Sequence, residues 1–516
     1  MQTSALEHSP MRLWHTPYFG ILALLCAALA AYLPTFFIPF VHIDEGAWAE
    51  MGRYIFSGQF YELISDNKPP ILLEFHWLLS LGEHSMRALH FFLAIWTFFG
   101  ALAFEKILRT YFSPALSISG ALLFCLLSGT LNYGAFSAER VFLPFLIFAT
   151  LLALKGSQLS FSPKKLALAL SSGIFIGAAI NTKQTASFFA LLPLIIFFRT
   201  EKRHFVTYFF AVMSGAFLIS FISWKVTGTP FDSIWKEAFA QNLNYVGFQN
   251  YRSIETLKEI FLDAGLVFGI AYAATSLGIL LFVFLFLSRR LKASLFSWDN
   301  LEFILLGFAS LASVALGQRF FQQYYTATLP FLIVLTLLSL NRLPEHLQKR
   351  VSTYLVLTAI ISLLIFHIQI VYLQTHDRNK NYDSQILKLV TEIKKDSQPK
   401  DSLWISNALG SVYFLTDRKP AIKYLFFLHL IHFAEICRAD ESALKEDLSD
   451  SNYRAALTNL KQNRPRIIFW VTRNVNSCSD RLKLENFPSI ENIVKSKYEL
   501  KWSSKLGKYY VRKGSG

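Results

Sequence analysis

Apolar runs of about twenty residues recur along this chain, and nothing constrains its fold more. Roughly eleven begin near Tyr18, Met86, Pro114, Ala138, Leu166, Gln184, Phe205, Glu259, Asn300, Thr326 and Val351, each near the length that crosses a bilayer. In hydrocarbon a backbone must bond to itself, so such runs are helices. The chain is 53% hydrophobic and only 16% charged, and 50 of its 516 residues are phenylalanine. That phenylalanine content is far above what a soluble domain carries and defines a polytopic α-helical membrane protein, whose length permits one additional soluble domain. The net charge of +15 invites a nucleic-acid reading. The basic residues lie in short loops between apolar runs, which is how a membrane protein sets its orientation instead.

Alternate loops carry Lys106 and Arg109; Lys164 and Lys165; Arg199, Lys202 and Arg203; Arg289, Arg290 and Lys292; Arg342, Lys349 and Arg350. The charge rule puts these loops in the cytoplasm with Arg12, and an odd number of spans sends the tail outside. The expected division is a membrane domain over 1–373, with an outer amphipathic loop over 41–85, and an outward-facing α/β domain over 374–516. In that tail Ser402–Ser406 and Arg466–Thr472 read as buried strands, Ser442–Gln462 as a helix, and Tyr498–Trp502 with Lys508–Val511 as a hairpin. No cleavable signal peptide is evident. Cys437 and Cys478 in the tail form a disulfide candidate in an oxidising compartment.

This sorting puts the polar residues most out of place near the membrane on the outer side: Asp44, Glu45, Lys68, Glu139, Lys183, Gln184, Gln318 and Arg319. Ionisable groups at membrane depth are costly and face a cavity or a partner. The alternative for each one alone is a helix end that snorkels to water. Asp44 also fits an N-cap, with Glu45 favoured by the helix dipole. Lys68-Pro69-Pro70 is a rigid turn that aims a lysine at a phosphate or at lipid headgroups. Glu139 begins an apolar run, and Arg140 beside it reads as local capping. Asn181-Thr182-Lys183-Gln184 breaks two short spans, either as a plain turn or as a broken helix lining a cavity. Arg319, set among aromatics that include Tyr324, is either a snorkelling cation or a bidentate phosphate ligand. The lone histidines His76, His90 and His367 show no metal spacing and read as packing or interfacial residues.

These residues resemble the glycosyltransferase family 39 membrane enzymes of the C-type (GT-C) superfamily, which includes protein O-mannosyltransferases and the aminoarabinose transferase that modifies lipid A. The resemblance rests on Asp44-Glu45 after the first span, Lys68-Pro69-Pro70 before the second, Lys183-Gln184, and Arg319-Phe320 followed by Tyr324. It extends to about Leu340. It implies a GT-C fold and inverting transfer of a sugar from a polyprenyl-phosphate carrier on the outer face. By position Asp44 is then the acidic residue near the acceptor, and Lys68 binds the donor phosphate. In the aminoarabinose branch a glutamate associated with metal binding precedes Lys-Pro-Pro. Here that position is Asn67, so no cofactor is assigned and a divalent metal ion stays open. Gln323 stands where many bacterial relatives have histidine, so the acceptor is not carried over: lipid, glycan or protein.

Chemically, displacement at an anomeric carbon needs a base on the nucleophile and positive charge on the departing phosphate. Asp44 and Glu45 are the candidate catalytic pair, Lys68 and Arg319 the phosphate ligands, and Glu139, Lys183, Gln184 and Tyr324 the substrate contacts. The rival reading is a transporter or flippase of lipid-linked sugars. Transporters show paired broken helices at the midplane, whereas this chain has one broken pair and carboxylates at one face. A bacterial inner membrane, with the site and tail periplasmic, is the expected location.

Overall fold

The computed structural model describes residues 17–37, 43–64, 68–80, 86–240, 262, 265–288, 301–315, 322–375, 377–406, 409–423, 425, 446, 448, 451–472 and 483–514. Among them, 7 helices are long and apolar enough to cross a membrane, and 4 shorter apolar helices accompany them. Every expected apolar run therefore has a helix. The run expected from Glu259 is the most changed, because its described regular helix covers Ala273–Leu287.

The bundle consists of α1 (Pro17–Tyr32), α5 (Met86–Leu108), α6 (Pro114–Ser128), α7 (Ala138–Ser157), α8 (Pro163–Ile180), α9 (Leu191–Thr200), α10 (Phe205–Thr227), α12 (Ala273–Leu287), α13 (Leu301–Ala315), α14 (Leu329–Leu340) and α15 (Glu345–Thr375). Between α1 and α5 lie α2 (Ile43–Tyr54), the single turn α3 (Phe60–Leu63) and α4 (Pro70–Ser80), and the short α11 (Phe231–Ile234) follows α10. The helices sort the polar residues by end. Helix α7 begins beside Glu139 and ends near Lys155, α5 ends near Lys106, and α8 begins with Lys164 and Lys165. The basic ends thus lie opposite the end that carries α2.

Small residues let the helices touch. Gly173 of α8 lies against the Val212 carbonyl of α10, and Gly215 of α10 against the Leu170 carbonyl of α8, where an added Cβ would fall within 2.0 Å of an oxygen. Backbone-to-backbone packing of this kind holds helices together in lipid, which offers no hydrophobic drive. Arg140 holds the turn between α6 and α7. Its buried guanidinium donates to the Ser128 carbonyl at 2.8 Å and to the carbonyls of Leu131 and Ala135. It satisfies backbone acceptors at a helix end and meets no carboxylate there. Arg140→Met leaves three buried carbonyls without that donor, and we expect a loss of about 3 kcal/mol, read as a lower Tm in nanodiscs.

After α15 the chain continues into α16 (Asp377–Asp396) and an α/β region holding α17 (Gly410–Thr416), α18 (Ser451–Asn463) and α19 (Pro488–Lys497) around five strands. These are β1 (Ser402–Ile405), β2 (Lys419–Pro420), β3 (Ile467–Val471), β4 (Tyr498–Ser503) and β5 (Gly507–Arg512), in the order β2-β1-β3-β5-β4. β1 pairs in parallel with β2 and β3, β5 runs antiparallel to β3, and β4 and β5 form the terminal hairpin. β3 is buried throughout, as a central strand covered on both faces must be. Trp404, Ile468 and Trp470 pack against Tyr453, Leu457 and Phe487 on one face. Leu403, Ile405, Phe469 and Val471 point the other way, into a core shared with α16, α17 and the bundle.

Candidate active site

Asp44 and Glu45 lie in the first turn of α2, but they face different surroundings. Asp44 is half-buried. Glu45 is fully buried, accepts the Phe136 backbone N–H, and pairs with His90 Nε2 at 3.1 Å. One turn on, Trp48 shares the Asp44 face by i,i+4 spacing. The Lys68 ammonium lies 5.6 Å from the centre of the Trp48 ring, and Tyr61 fixes that turn by donating to the Lys68 carbonyl at 2.6 Å. Lys68 is therefore brought over the surface of α2 that begins with Asp44.

Beneath Trp48 stands His76, edge-on to Trp48 at 5.9 Å and to Phe136 at 4.5 Å. Its Nδ1 donates to the Leu72 carbonyl at 2.8 Å. Burial pulls its imidazole down to about 4, so at neutral pH it is uncharged.

A second group gathers at the ends of α7 and α8. Lys183 pairs with the buried Glu139, and its ammonium lies 3.5 Å from the centre of the Tyr324 ring. Three candidates far apart in the chain thus form one cation–carboxylate–ring cluster. Gln184 does something else: its amide donates to the Ala238 carbonyl. Asn181 bonds Ser220 and accepts from the Trp224 indole, and its carbonyl takes the Ile71 N–H at 3.0 Å. The break between α8 and the 3-10 turn Gln184–Ala190 is therefore a junction that ties α4 and α10 to the site.

The α/β region closes over α2. Gly410 and Ser411 of α17 meet Ala47 and Gly46 of α2 so closely that a Cβ on either glycine would come within 2.4 Å of backbone. Arg53 then bridges the two regions. It pairs with Glu50 at 3.0 Å in its own helix and with Asp417 at the end of α17. Burial pushes Glu50 up to about 7 despite Arg53 beside it. A second bridge joins Lys423 to Glu237 at 2.8 Å, one residue from the carbonyl that holds Gln184.

Sequence patterning alone missed His90, Arg53 and Asp417. His90 is one histidine in an apolar stretch of α5, Arg53 is one of several charged residues on α2, and Asp417 lies 364 residues from Arg53. Arg319, Gln318, Asn67, Cys437 and Cys478 lie outside the described residues. Among the described residues no group of three or more His, Cys, Asp and Glu side chains is spaced to hold a metal ion.

Among the described residues, an eleven-helix bundle joined to a small sheet, with a capped polar loop between the first two spans, defines a polytopic helical membrane protein with a C-terminal α/β region. It is similar over its length to ArnT from Cupriavidus metallidurans bound to undecaprenyl phosphate, with 13% identity, TM-score 0.59, and coverage of 96% of this chain and 98% of that one. It is also similar to the oligosaccharyltransferase AglB from Archaeoglobus fulgidus in complex with an inhibitory peptide and a dolichol-phosphate, with 12% identity, TM-score 0.53, and coverage of 96% and 74%. A third match is the Archaeoglobus fulgidus oligosaccharyltransferase in complex with Zn and sulfate, with 13% identity, TM-score 0.53, and coverage of 95% and 73%. No family model matches the chain, and no curated protein matches it by sequence.

Proposed function

We propose that this protein is a glycosyltransferase that moves a sugar from a polyprenyl-phosphate carrier to an acceptor at the α2 end of the bundle. The observation that carries this reading is Lys68 over the Trp48 ring, on the face of α2 that starts at Asp44. A base and a phosphate ligand on one surface are what displacement from a glycosyl phosphate requires. The fold shared with ArnT bound to undecaprenyl phosphate and AglB bound to dolichol-phosphate supports a lipid-phosphate donor.

Asp44 takes the proton from an acceptor hydroxyl or amine as that atom attacks the anomeric carbon from the face opposite the phosphate. The C–O bond to phosphate breaks, configuration inverts, and the electron pair leaves with the phosphate. Lys68 stabilises the charge that develops there, and Arg319 joins it as the second cation. Glu139 orients sugar or acceptor hydroxyls, and Lys183 balances its charge. The acceptor is a lipid, a glycan or a protein. The site and the α/β region face the periplasm of a bacterial inner membrane, and a divalent metal ion is a further candidate component that a chelator arm tests.

Purified protein in nanodiscs, given sugar-loaded polyprenyl phosphates and membrane extract, should release free polyprenyl phosphate as sugar is transferred. Lys68→Ala should raise the donor KM about tenfold or more, because it removes a charge-assisted phosphate contact. Donor binding without release of the free carrier phosphate in any acceptor mixture would instead favour a transporter of lipid-linked sugars.

A further inference from the structure

Glu45 and His90 are each fully buried, and they face one another at 3.1 Å. Their remaining bonds determine where the protons lie. His90 Nδ1 is 2.8 Å from the Thr35 carbonyl. A carbonyl only accepts, so Nδ1 carries a hydrogen. The Glu45 oxygen that faces Nε2 also receives the Phe136 amide N–H, so it too acts as an acceptor. A neutral imidazole with its hydrogen on Nδ1 would turn the Nε2 lone pair onto that oxygen. The contact therefore holds a second proton. The amide bond favours that proton on nitrogen, because an ionised carboxylate accepts from both donors at once.

We infer that His90 is an imidazolium paired with the Glu45 carboxylate, and that this pair is the positioning element for Asp44. Thr35 closes the first span, His90 sits near the start of α5, and Phe136 precedes α7. His90, itself held by the Thr35 carbonyl, and Phe136 converge on the residue next to Asp44 and so fix the first turn of α2 against the bundle. The pair is internally neutral and adds no net negative charge beside an incoming phosphate. Glu45 is then an anchor for Asp44, which leaves Asp44 as the carboxylate that meets the acceptor. Only this catalytic consequence rests on the proposed reaction. The pairing itself does not.

The test uses the full chain in nanodiscs with 15N-labelled histidine. The ring signals that His90→Gln removes belong to His90, and in the wild type both nitrogens should be protonated. One bare ring nitrogen overturns the pairing. Hydrogen exchange over residues 43–54 should speed up about tenfold in His90→Phe and stay near wild type in His90→Gln, which keeps a donor toward Glu45. With an active donor, His90→Phe should lower kcat about a hundredfold at a donor KM within about threefold of wild type, and His90→Gln should recover most of that loss. Unchanged exchange and unchanged kcat in His90→Phe would overturn the positioning role. If His90→Phe does not fold, the wild-type spectrum still decides the pairing, and α2 amides that lose protection in His90→Gln, against the near-wild-type rate expected, would overturn the anchoring of Glu45 by a donor at this position. Failure of the wild type to turn over any donor counts against the transferase reading, while the spectrum and the exchange rates still decide the pair.

Discussion

Asp44→Asn should lower sugar transfer about a thousandfold or more, within the range by which a positioned general base contributes, while the protein still folds and binds its donor. The substitution is well matched to the question. Asparagine keeps the size of aspartate and is as good a residue at a helix start, so α2 keeps its place. Contacts of its neighbours that hold α2 are untouched by the change: Glu45 to His90 and Phe136, and Arg53 to Asp417. Lys68 stays over Trp48, so the proposed phosphate ligand keeps its place. What asparagine loses is the capacity to take a proton. The measurement is transfer rate beside donor affinity, for both proteins in nanodiscs. A mutant that binds donor normally but does not turn it over supports Asp44 as the base. A mutant with full turnover moves the role elsewhere, with Glu139 next in line.

The docking of the α/β region on α2 should weaken as pH rises through neutrality. Glu50 is fully buried, and burial holds it at about 7 in the folded protein against an ordinary 4.5. The folded state thus keeps a proton that the opened state gives up. Stability from this group is complete below the ordinary value and is lost as pH climbs to about 7. Between pH 5 and pH 8 the loss amounts to roughly 2.5 kcal/mol, since each pH unit of separation is about 1.4 kcal/mol and part of the transition lies below pH 5. Hydrogen exchange over 43–54 and 410–417 should therefore accelerate with pH beyond its intrinsic chemical dependence. Glu50→Gln should flatten that extra slope and make the seam more stable at pH 8. An unchanged slope in Glu50→Gln would remove Glu50 from the account.

Much of the architecture is legible in the chain because each apolar run carries its own signal. The terminal hairpin expected at Tyr498–Trp502 and Lys508–Val511 forms over Tyr498–Ser503 and Gly507–Arg512, since alternation and a small turn are local properties. The strands expected around Leu403 and Ile468 form for the same reason. Helix α16, Asp377–Asp396, went unread because its apolar residues are few and spaced among charges. The site was legible in part. Glu139, Lys183 and Tyr324 each stand out in the sequence as polar residues at helix ends, and they meet in space. Their geometry could not be read, because nothing near Glu139 in sequence refers to Lys183. His90 was passed over as a packing residue. A histidine on an apolar helix looks alike whether it faces hydrocarbon or a carboxylate, and only the fold brings Glu45 to it.

The seam between α2 and α17 also orders events in the making of the protein. Arg53 leaves the ribosome early and Asp417 follows 364 residues later, after all the described spans have been synthesised. Until then Gly46 and Ala47, which end up against backbone, have nothing to lie against. The helix that starts with the acidic pair is thus made before most of the described spans and meets α17 only after all of them. A chain that stops short of α17 would hold all the described spans and still leave α2 without this partner, so the seam closes only after α17 is made.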